Sequence, residues 1–314
     1  MRIPIITRRQ FLEASGVAAA WTMAPTTLRS AFALPQVNHK FDDIRSNLLH
    51  LINEEREVEK ARPLELDDFA TSVATAHAEE MAKNEFVSHW GRNGMKPYQR
   101  YSFAGGYHAT QENISAADNT WSMKPEALKQ DTSYLHVRLY QETPPNDGHR
   151  RAILGPHHTH VGVGIAVEQL RLRVVELFIS KYVEFKPVPR IGRPKDVIPL
   201  SGSLLTSNYL LNTIEVFYEP LPKTPELEWL REPRSYALPD ESQVLRPIIP
   251  PPYEYADKRP GVIQVKSTGE FDAPVTLFKD SPGIYTVVCW LRRNRGEKAF
   301  PATELCIRVE DVNP

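Results

Sequence analysis

The stretch NDGHRRAILGPHHTHVGVGIAV, residues 146–167, runs from a turn through a basic segment into an alternating apolar run. The apolar side chains of that run recur at every second position: Val161, Val163, Ile165 and Val167. This period predicts a strand with one buried face. Four of the ten histidines of the chain precede or begin the strand: His149, His157, His158 and His160. Such a concentration indicates either a metal or catalytic site or a histidine-rich turn without a role.

Helical patterns lie upstream of this strand. Residues 41–60 carry apolar side chains at helical spacing, and a second pattern follows with Asp67 or Asp68 as its N-cap. His77 lies on this second helix, where we expect a buried structural histidine. A third helix is predicted from Pro125 to about Glu142, because proline is favoured in a first helical turn.

The region between the second and third helices, residues 91–120, is rich in Gly, Tyr and Asn and is interpreted as a loop. After the alternating strand, residues 171–185 are rich in β-branched and aromatic side chains and predict further strand structure. Helices followed by antiparallel strands predict an α+β fold, an α-β-α sandwich over residues 41–185.

The remainder of the chain has a different composition. Residues 186–197 are rich in proline and charge and predict a linker, and residues 198–314 contain short β-rich runs that predict a β-sandwich-like domain. Cys289 and Cys306 fall in two of the last runs. A hairpin would bring them together, so they are a disulfide candidate, and two buried free thiols are the alternative.

The first 33 residues resemble a twin-arginine export signal: Arg8 and Arg9 are followed by Phe11 and Leu12, and the segment ends on Ala-Phe-Ala. We therefore expect an exported protein, periplasmic or extracellular, with residues 1–33 removed. No later segment has the roughly 20 apolar residues of a membrane helix. A net charge of −1 gives no reason to expect nucleic acid or an anionic membrane as partner.

Four short motifs, taken together, resemble bacterial secreted proteins of the CAP superfamily. They are AHAEEMAKNEFVSHWG (76–91), QENIS (111–115), GHRRAILG (148–155) and THVGVGIAV (159–167). That superfamily includes the cysteine-rich secretory proteins, antigen 5 and pathogenesis-related plant proteins, and its SCP-like domain is an α-β-α sandwich with an open central cavity. The resemblance covers residues 41–185.

The resemblance implies four cavity residues, two histidines and two glutamates. His89 of FVSH and Glu112 of QENI match the first histidine and glutamate, and His149 of DGHR matches the second histidine. The second glutamate falls on Glu142 of LYQE, where Leu139 stands in place of a common tryptophan, and it is the least secure of the four.

Two imidazoles beside a carboxylate form a borderline-soft site suited to a weakly held Zn²⁺, with His89 and His149 as the metal ligands. The alternative is a hydrogen-bonded polar cluster that joins the layers of the domain. His157, His158 and His160 have no matching role in the family, and we expect them to be solvated turn residues. No role is assigned to His39, His50, His108 or His136.

The resemblance favours a non-enzymatic binding module that holds a small or lipid-like ligand, such as a component of the cell envelope. No catalytic residue is assigned, because the sequence shows neither a nucleophile motif nor a zinc-protease helix. The first alternative is a metal-assisted hydrolase acting on peptide or cell-wall substrates. A second alternative makes both domains structural parts of an envelope assembly.

Overall fold

The chain is described by a computed structural model over residues 39–118, 124–294 and 296–310. The predicted export signal, residues 1–33, lies outside these residues. A short 3-10 turn, His39–Phe41, leads into the first helix. The helices are α1 (Asp42–Val58), α2 (Asp68–Asn84), α3 (Pro97–Phe103), α4 (Pro125–Tyr140), α5 (Gly148–Ile153) and α6 (Leu227–Arg231).

The strands of the N-terminal half are β1 (Glu65–Leu66), β2 (Ala109–Ala117), β3 (His160–Glu168) and β4 (Arg171–Ser180). They form one sheet in the order β1-β3-β4-β2, in which β1 pairs parallel with β3 and the other pairs are antiparallel. The alternating run is therefore a strand, as its period predicts, but it lies in the interior of the sheet and both of its faces are buried rather than one.

Helices cover both faces of this sheet, which confirms the predicted α-β-α sandwich. On one face Val161, Val163 and Ile165 of β3 pack with α1 and α4. On the other face α2 packs so closely that a Cβ atom added to Gly164 would lie 2.2 Å from the backbone carbon of Ala74. The glycines of the alternating run thus allow the helix backbone to approach the sheet.

The predicted helix bounds agree with the structure. Asp67 is the N-cap of α2, and its carboxylate accepts the backbone N–H of Ala70 at 2.6 Å. His77 is buried on α2, as predicted, and its Nε2 lies 2.7 Å from the carbonyl oxygen of Ser88.

The sequence predicts a loop over residues 91–120, and that prediction is wrong. This region contains α3 and β2, and β2 pairs along its whole length with β4. The sequence of β2, ATQENISAA, lacks the alternation and the β-branched content by which strands are recognised. This edge strand is held instead by its backbone pairing and by groups that cover it.

The C-terminal half contains ten strands among the described residues. They are β5 (Val183–Phe185), β6 (Ile191–Gly192), β7 (Val197–Leu204), β8 (Leu210–Glu219), β9 (Ser242–Leu245), β10 (Gln264–Val265), β11 (Glu270–Thr276), β12 (Gly283–Arg292), β13 (Phe300–Pro301) and β14 (Leu305–Val309). One sheet has the order β10-β11-β7-β5 and the other β6-β14-β12-β8-β9, with β13 beside β12. Their facing sides share one apolar core, so the fold is the predicted β-sandwich-like arrangement.

The two halves pack together within one compact unit. Strand β5 falls in the predicted α-β-α range, 41–185, but pairs with β7 of the second half. Strand β6 falls in the predicted linker, 186–197, and pairs with β14. Glu219 of β8 accepts hydrogen bonds from Tyr98 (2.7 Å) and Gln99 (2.8 Å) and pairs with Lys96 (2.8 Å), all at α3 of the first half.

The disulfide candidate is corrected by the register of the last strands. Cys289 points into the sandwich core, whereas Cys306 faces the opposite side of the same sheet, opposite Thr286 and beside Tyr98. Both are buried free thiols. Side chains on opposite faces of a sheet cannot reach the short Cβ separation of a disulfide.

Candidate functional site

A cavity of about 1030 Å³ lies beside β2 and the start of α5. All four residues that the family resemblance implies line it: His89, Glu112, Glu142 and His149. They form two pairs, each a histidine whose Nδ1 contacts a glutamate. The Nδ1–Oε1 distance is 3.0 Å for His89 and Glu112 and 2.6 Å for His149 and Glu142.

The first pair is buried and fixed. Glu112 lies on β2, its side chain is 2% exposed, and its second oxygen accepts from Arg100 Nη2 at 2.6 Å. Burial opposes ionisation of Glu112, but the charge of Arg100 and the hydrogen bond to His89 outweigh it and lower the pKa to about 2. Arg100 also donates to the carbonyl oxygen of His89 at 2.5 Å, so one guanidinium positions both members of the pair.

The second pair is more open: the side chains of His149 and Glu142 are 36% and 24% exposed. His149 lies in the first turn of α5, and Glu142 follows the end of α4. Besides its contact with the imidazole, Glu142 accepts the backbone N–H of His149 at 3.0 Å, so the carboxylate holds both the side chain and the helix start.

Behind the second pair lies a buried imidazole that sequence reasoning did not single out. His136 of α4 contacts Glu176 through Nδ1 (2.6 Å) and Glu55 through Nε2 (2.9 Å). Burial lowers the pKa of His136, but Glu176 and then Glu55 outweigh burial and raise it to about 10, so the ring is an imidazolium. Asn113 donates both to Glu176 and to the carbonyl oxygen of His149, which connects this network to the cavity.

Two of the three histidines expected to be solvated are instead part of the cavity wall. His157 stacks on Phe300 of the C-terminal half, with ring centroids 3.6 Å apart. His158 is buried, with contacts to Gln111 Oε1 (3.1 Å) and Ser180 Oγ (3.3 Å). The expectation failed for His157 because Phe300 of the C-terminal half covers it, and for His158 because β2 and β4 of the first half enclose it. His157 and His160 are both partly exposed, and of the three histidines His160 lies outside the cavity.

The C-terminal half supplies further wall residues. The segment after α6 crosses the cavity, and Tyr236 in it accepts the backbone N–H of Glu112 at 2.9 Å. The Tyr236 ring lies edge-on to His89, with centroids 4.9 Å apart. Phe300 of β13 and Glu304, which lies between β13 and β14, complete the wall. These residues carried no sequence signal, because contact between the two halves depends on tertiary packing.

The donor set for a metal is small. His89 and His149 both orient Nδ1 toward a carboxylate, the arrangement that leaves Nε2 available as a ligand. Over residues 39–118, 124–294 and 296–310, however, no group of three or more His, Cys, Asp or Glu side chains is placed to hold an ion. The two histidine–glutamate pairs therefore do not form a preassembled metal centre among the described residues.

Comparison with known proteins agrees with this fold. Residues 49–178 match the family model described as CAP, the cysteine-rich secretory protein family. This part of the chain is therefore a CAP domain, and a second, β-rich region follows it.

Two curated relatives share part of the sequence. The uncharacterised protein YkwD of Bacillus subtilis is 25% identical over 142 residues, 45% of this chain and 49% of its own. The cilia- and flagella-associated protein 184 of Tetrahymena thermophila is 23% identical over 185 residues, 57% of this chain and 22% of its own. The chain thus spans about half of the first relative and about a fifth of the second.

Similar solved structures include an outer surface protein of Borrelia burgdorferi (18% identity, TM-score 0.36, covering 45% of this chain and 94% of that one). A second is an extracellular SCP-domain protein of Bacillus anthracis (23% identity, TM-score 0.33, covering 43% and 40%). In the part of the chain that the structure describes, no helix is long and apolar enough to span a membrane.

Proposed function

We propose that this protein is a non-enzymatic binding module whose cavity takes a small or lipid-like ligand, such as a component of the cell envelope. The observation that carries the proposal is the cavity of about 1030 Å³, which is walled by both halves of the chain and has two histidine–glutamate pairs in its lining. Cavities of roughly 300 to 1000 Å³, apolar with a few fixed polar groups, are typical of ligand sites.

The state of Glu112 supports binding rather than catalysis. A general base works best with a pKa near the working pH, whereas the pKa of Glu112 is about 2 and both of its oxygens are already engaged. Such a carboxylate orients His89 and presents a fixed polar contact.

A divalent metal is part of the proposal as a weak, secondary ligand. His89 and His149 are the residues that would hold Zn²⁺, through the nitrogens not turned to Glu112 and Glu142. Bound there, the ion would supply a Lewis acid that attracts an oxygen or nitrogen of the ligand. We expect it to be lost easily, since two imidazoles provide few of the four ligands that zinc prefers.

One observation favours a second candidate, the metal-assisted hydrolase. The partly exposed His149 is oriented by Glu142 at 2.6 Å, which is the geometry of a general base with its orienting carboxylate. Turnover of peptides or peptidoglycan fragments, with and without Zn²⁺, tests this function. Hydrolysis that is abolished by His149→Ala would support the hydrolase over the binding module.

We also propose that the protein is exported, on the basis of the twin-arginine pattern in residues 1–33. The β-rich half would then act outside the cytoplasm, and its contribution to the cavity wall gives it a direct part in ligand binding. N-terminal sequencing of protein recovered from the periplasm or medium tests this point: a start near Leu34 supports export, and recovery only from the cytoplasm contradicts it.

The experiment for the binding function is calorimetric titration of the purified protein with 1-decanoylglycerol, a soluble lipid-like probe, and separately with Zn²⁺. His89→Ala and His149→Ala remove the polar contacts of the cavity, and His50→Ala, an exposed histidine on α1, is the matched control. We expect probe binding that is weakened in the two cavity variants and unchanged in the control. Absence of probe binding to the unchanged protein would contradict the proposal.

A further inference from the structure

A third glutamate, Glu304, enters the cavity from the C-terminal half. It lies between β13 and β14, and 6% of the residue is exposed. Its backbone N–H donates to the carbonyl oxygen of Tyr107 at 2.8 Å, which fixes the segment against the CAP domain just before β2. Glu304 is therefore held at the junction of the two halves, with its side chain in the cavity lining.

The two carboxyl oxygens of Glu304 have different surroundings. Oε2 accepts the backbone N–H of Thr110 at 2.8 Å and its hydroxyl at 2.9 Å. Within the described part of the chain, Oε1 has no hydrogen-bond partner and no cation forms an ion pair with Glu304. One oxygen thus anchors the side chain, and the other is available to a molecule in the cavity.

Apart from the two Thr110 donors, no group among the described residues is placed to stabilise a negative charge on Glu304. The titratable groups within electrostatic reach are the phenols of Tyr98 and Tyr236 and the thiol of Cys306. Glu112 is two residues from Thr110 along β2, and His108 pairs its backbone with Thr303. The pKa of His108 is lowered to about 4, chiefly by burial, so its ring is neutral at physiological pH.

Burial therefore decides the protonation of Glu304. It raises the pKa to about 7, and the two hydrogen bonds from Thr110 only partly oppose it. Glu112, equally buried, has a guanidinium and an imidazole beside it and remains ionised. Two carboxyl groups in one cavity with such different surroundings have different roles: Glu112 accepts hydrogen bonds, and a neutral Glu304 can donate one.

We propose that Glu304 is a ligand-contacting residue of this cavity, contributed by the C-terminal half, and that its protonated carboxyl group donates a hydrogen bond to a neutral oxygen of the ligand. This inference rests on the proposed binding function and specifies its ligand as a neutral amphiphile with an ester, carbonyl or hydroxyl oxygen.

The test is calorimetric titration with 1-decanoylglycerol between pH 6 and pH 8 for the unchanged protein and for Glu304→Gln. A glutamine keeps an oxygen for Thr110 and directs an NH₂ donor into the cavity at every pH. For the unchanged protein we expect an affinity that falls about tenfold over this range as Glu304 ionises. For Glu304→Gln we expect a loss of less than threefold.

Histidine side chains in general also titrate near neutral pH. The test therefore compares the pH dependence of probe affinity between the unchanged protein and Glu304→Gln. Equal pH dependence in both proteins would contradict the role of Glu304 while leaving the binding function intact. No binding of the probe at any pH would contradict the binding function, and this inference with it.

A second measurement uses the unchanged protein alone and needs no variant. The infrared difference spectrum of the unchanged protein at pH 6, with and without 1-decanoylglycerol, reports the C=O stretch of protonated carboxyl groups. A downshift of such a band on binding supports a donated hydrogen bond. Binding without any change in this region contradicts it.

Discussion

The hydroxyl oxygen of Tyr236 accepts the backbone N–H of Glu112 at 2.9 Å, and so a residue of the C-terminal half completes the hydrogen bonding of an edge strand of the CAP domain. Strand β2 pairs with β4 on one side only, which leaves N–H groups on its other side without a sheet partner. Tyr236 covers this edge at the position of a cavity glutamate. The two halves therefore share one site rather than lying side by side.

Tyr236→Phe should destabilise the protein through this single hydrogen bond. The Glu112 N–H would lose its acceptor while the aromatic ring stays, at a cost of about 1 to 3 kcal/mol for a buried donor. Urea unfolding measures the difference in free energy. The control is Tyr253→Phe, because Tyr253 is 74% exposed and should tolerate the change. Equal stability of the two variants would contradict the role of the Tyr236 hydroxyl.

The His136 network predicts a pH dependence of stability. The folded pKa of about 10 lies above the ordinary histidine value of 6.5, so His136 binds its proton more tightly in the folded protein. Its contribution is complete below about pH 6.5 and is lost as the pH rises through 10. The free energy of unfolding of the unchanged protein should fall over this pH interval. In His136→Gln the free energy of unfolding should fall less over the same interval.

Removal of the imidazolium should also be costly at neutral pH, because Glu55 and Glu176 would lose the charge between them. Loss of one partner of a buried ion pair typically costs about 3 to 5 kcal/mol. His50→Ala is the control, since His50 is 69% exposed and pairs with Glu54, which is itself exposed. Similar unfolding curves for His136→Ala and His50→Ala would show that the buried network contributes little.

Gly164→Ala should be strongly destabilising. The added Cβ atom would lie 2.2 Å from backbone atoms of α2, which cannot withdraw without opening the layer between helix and sheet. We expect a loss of at least about 2 kcal/mol in urea unfolding, or insoluble expression. Gly148→Ala is the matched control, since no atom lies within 4 Å of its added Cβ. Normal stability of Gly164→Ala would refute the close approach.

Cys289 and Cys306 should remain reduced and unreactive in the folded protein. Burial raises the pKa of each thiol to about 12, and the thiolate is the reactive form. Titration with a thiol reagent should therefore detect no reactive thiol under native conditions and two in denaturant. An intramolecular disulfide detected by mass spectrometry, or a melting temperature lowered by reductant, would be inconsistent with their placement on opposite faces.

The fold of the CAP domain was largely accessible from sequence, because its signals are local. The alternation from Val161 to Val167 and the Asp67 cap each depend on residues adjacent along the chain. Strand β2 lacks such a signal because its QENIS core is polar: Glu112 and Asn113 form hydrogen bonds with Arg100 and His149, which lie outside the strand. Where a strand lines a cavity, polar side chains replace the alternating apolar side chains by which strands are recognised.

The residues of the candidate site could be predicted only where they lie in the motifs that carry the family resemblance. The placement of His89, Glu112, Glu142 and His149 on one cavity follows from matched motifs, whereas Arg100, Tyr236 and Glu304 belong to contacts between distant segments. Composition and spacing carry no information on such contacts. The two cysteines show the same limit: their spacing suits a hairpin and predicts a disulfide, but the face on which each lies depends on register.

Ligand binding in the proposed function takes place in one cavity that both halves of the chain build. Hydrogen–deuterium exchange with and without 1-decanoylglycerol measures this without any substitution. We predict that ligand slows exchange in β2 (Ala109–Ala117), in α5 (Gly148–Ile153) and in the C-terminal wall around residues 235–238 and 300–304. Protection confined to the CAP domain, or located away from these segments, would contradict a shared cavity.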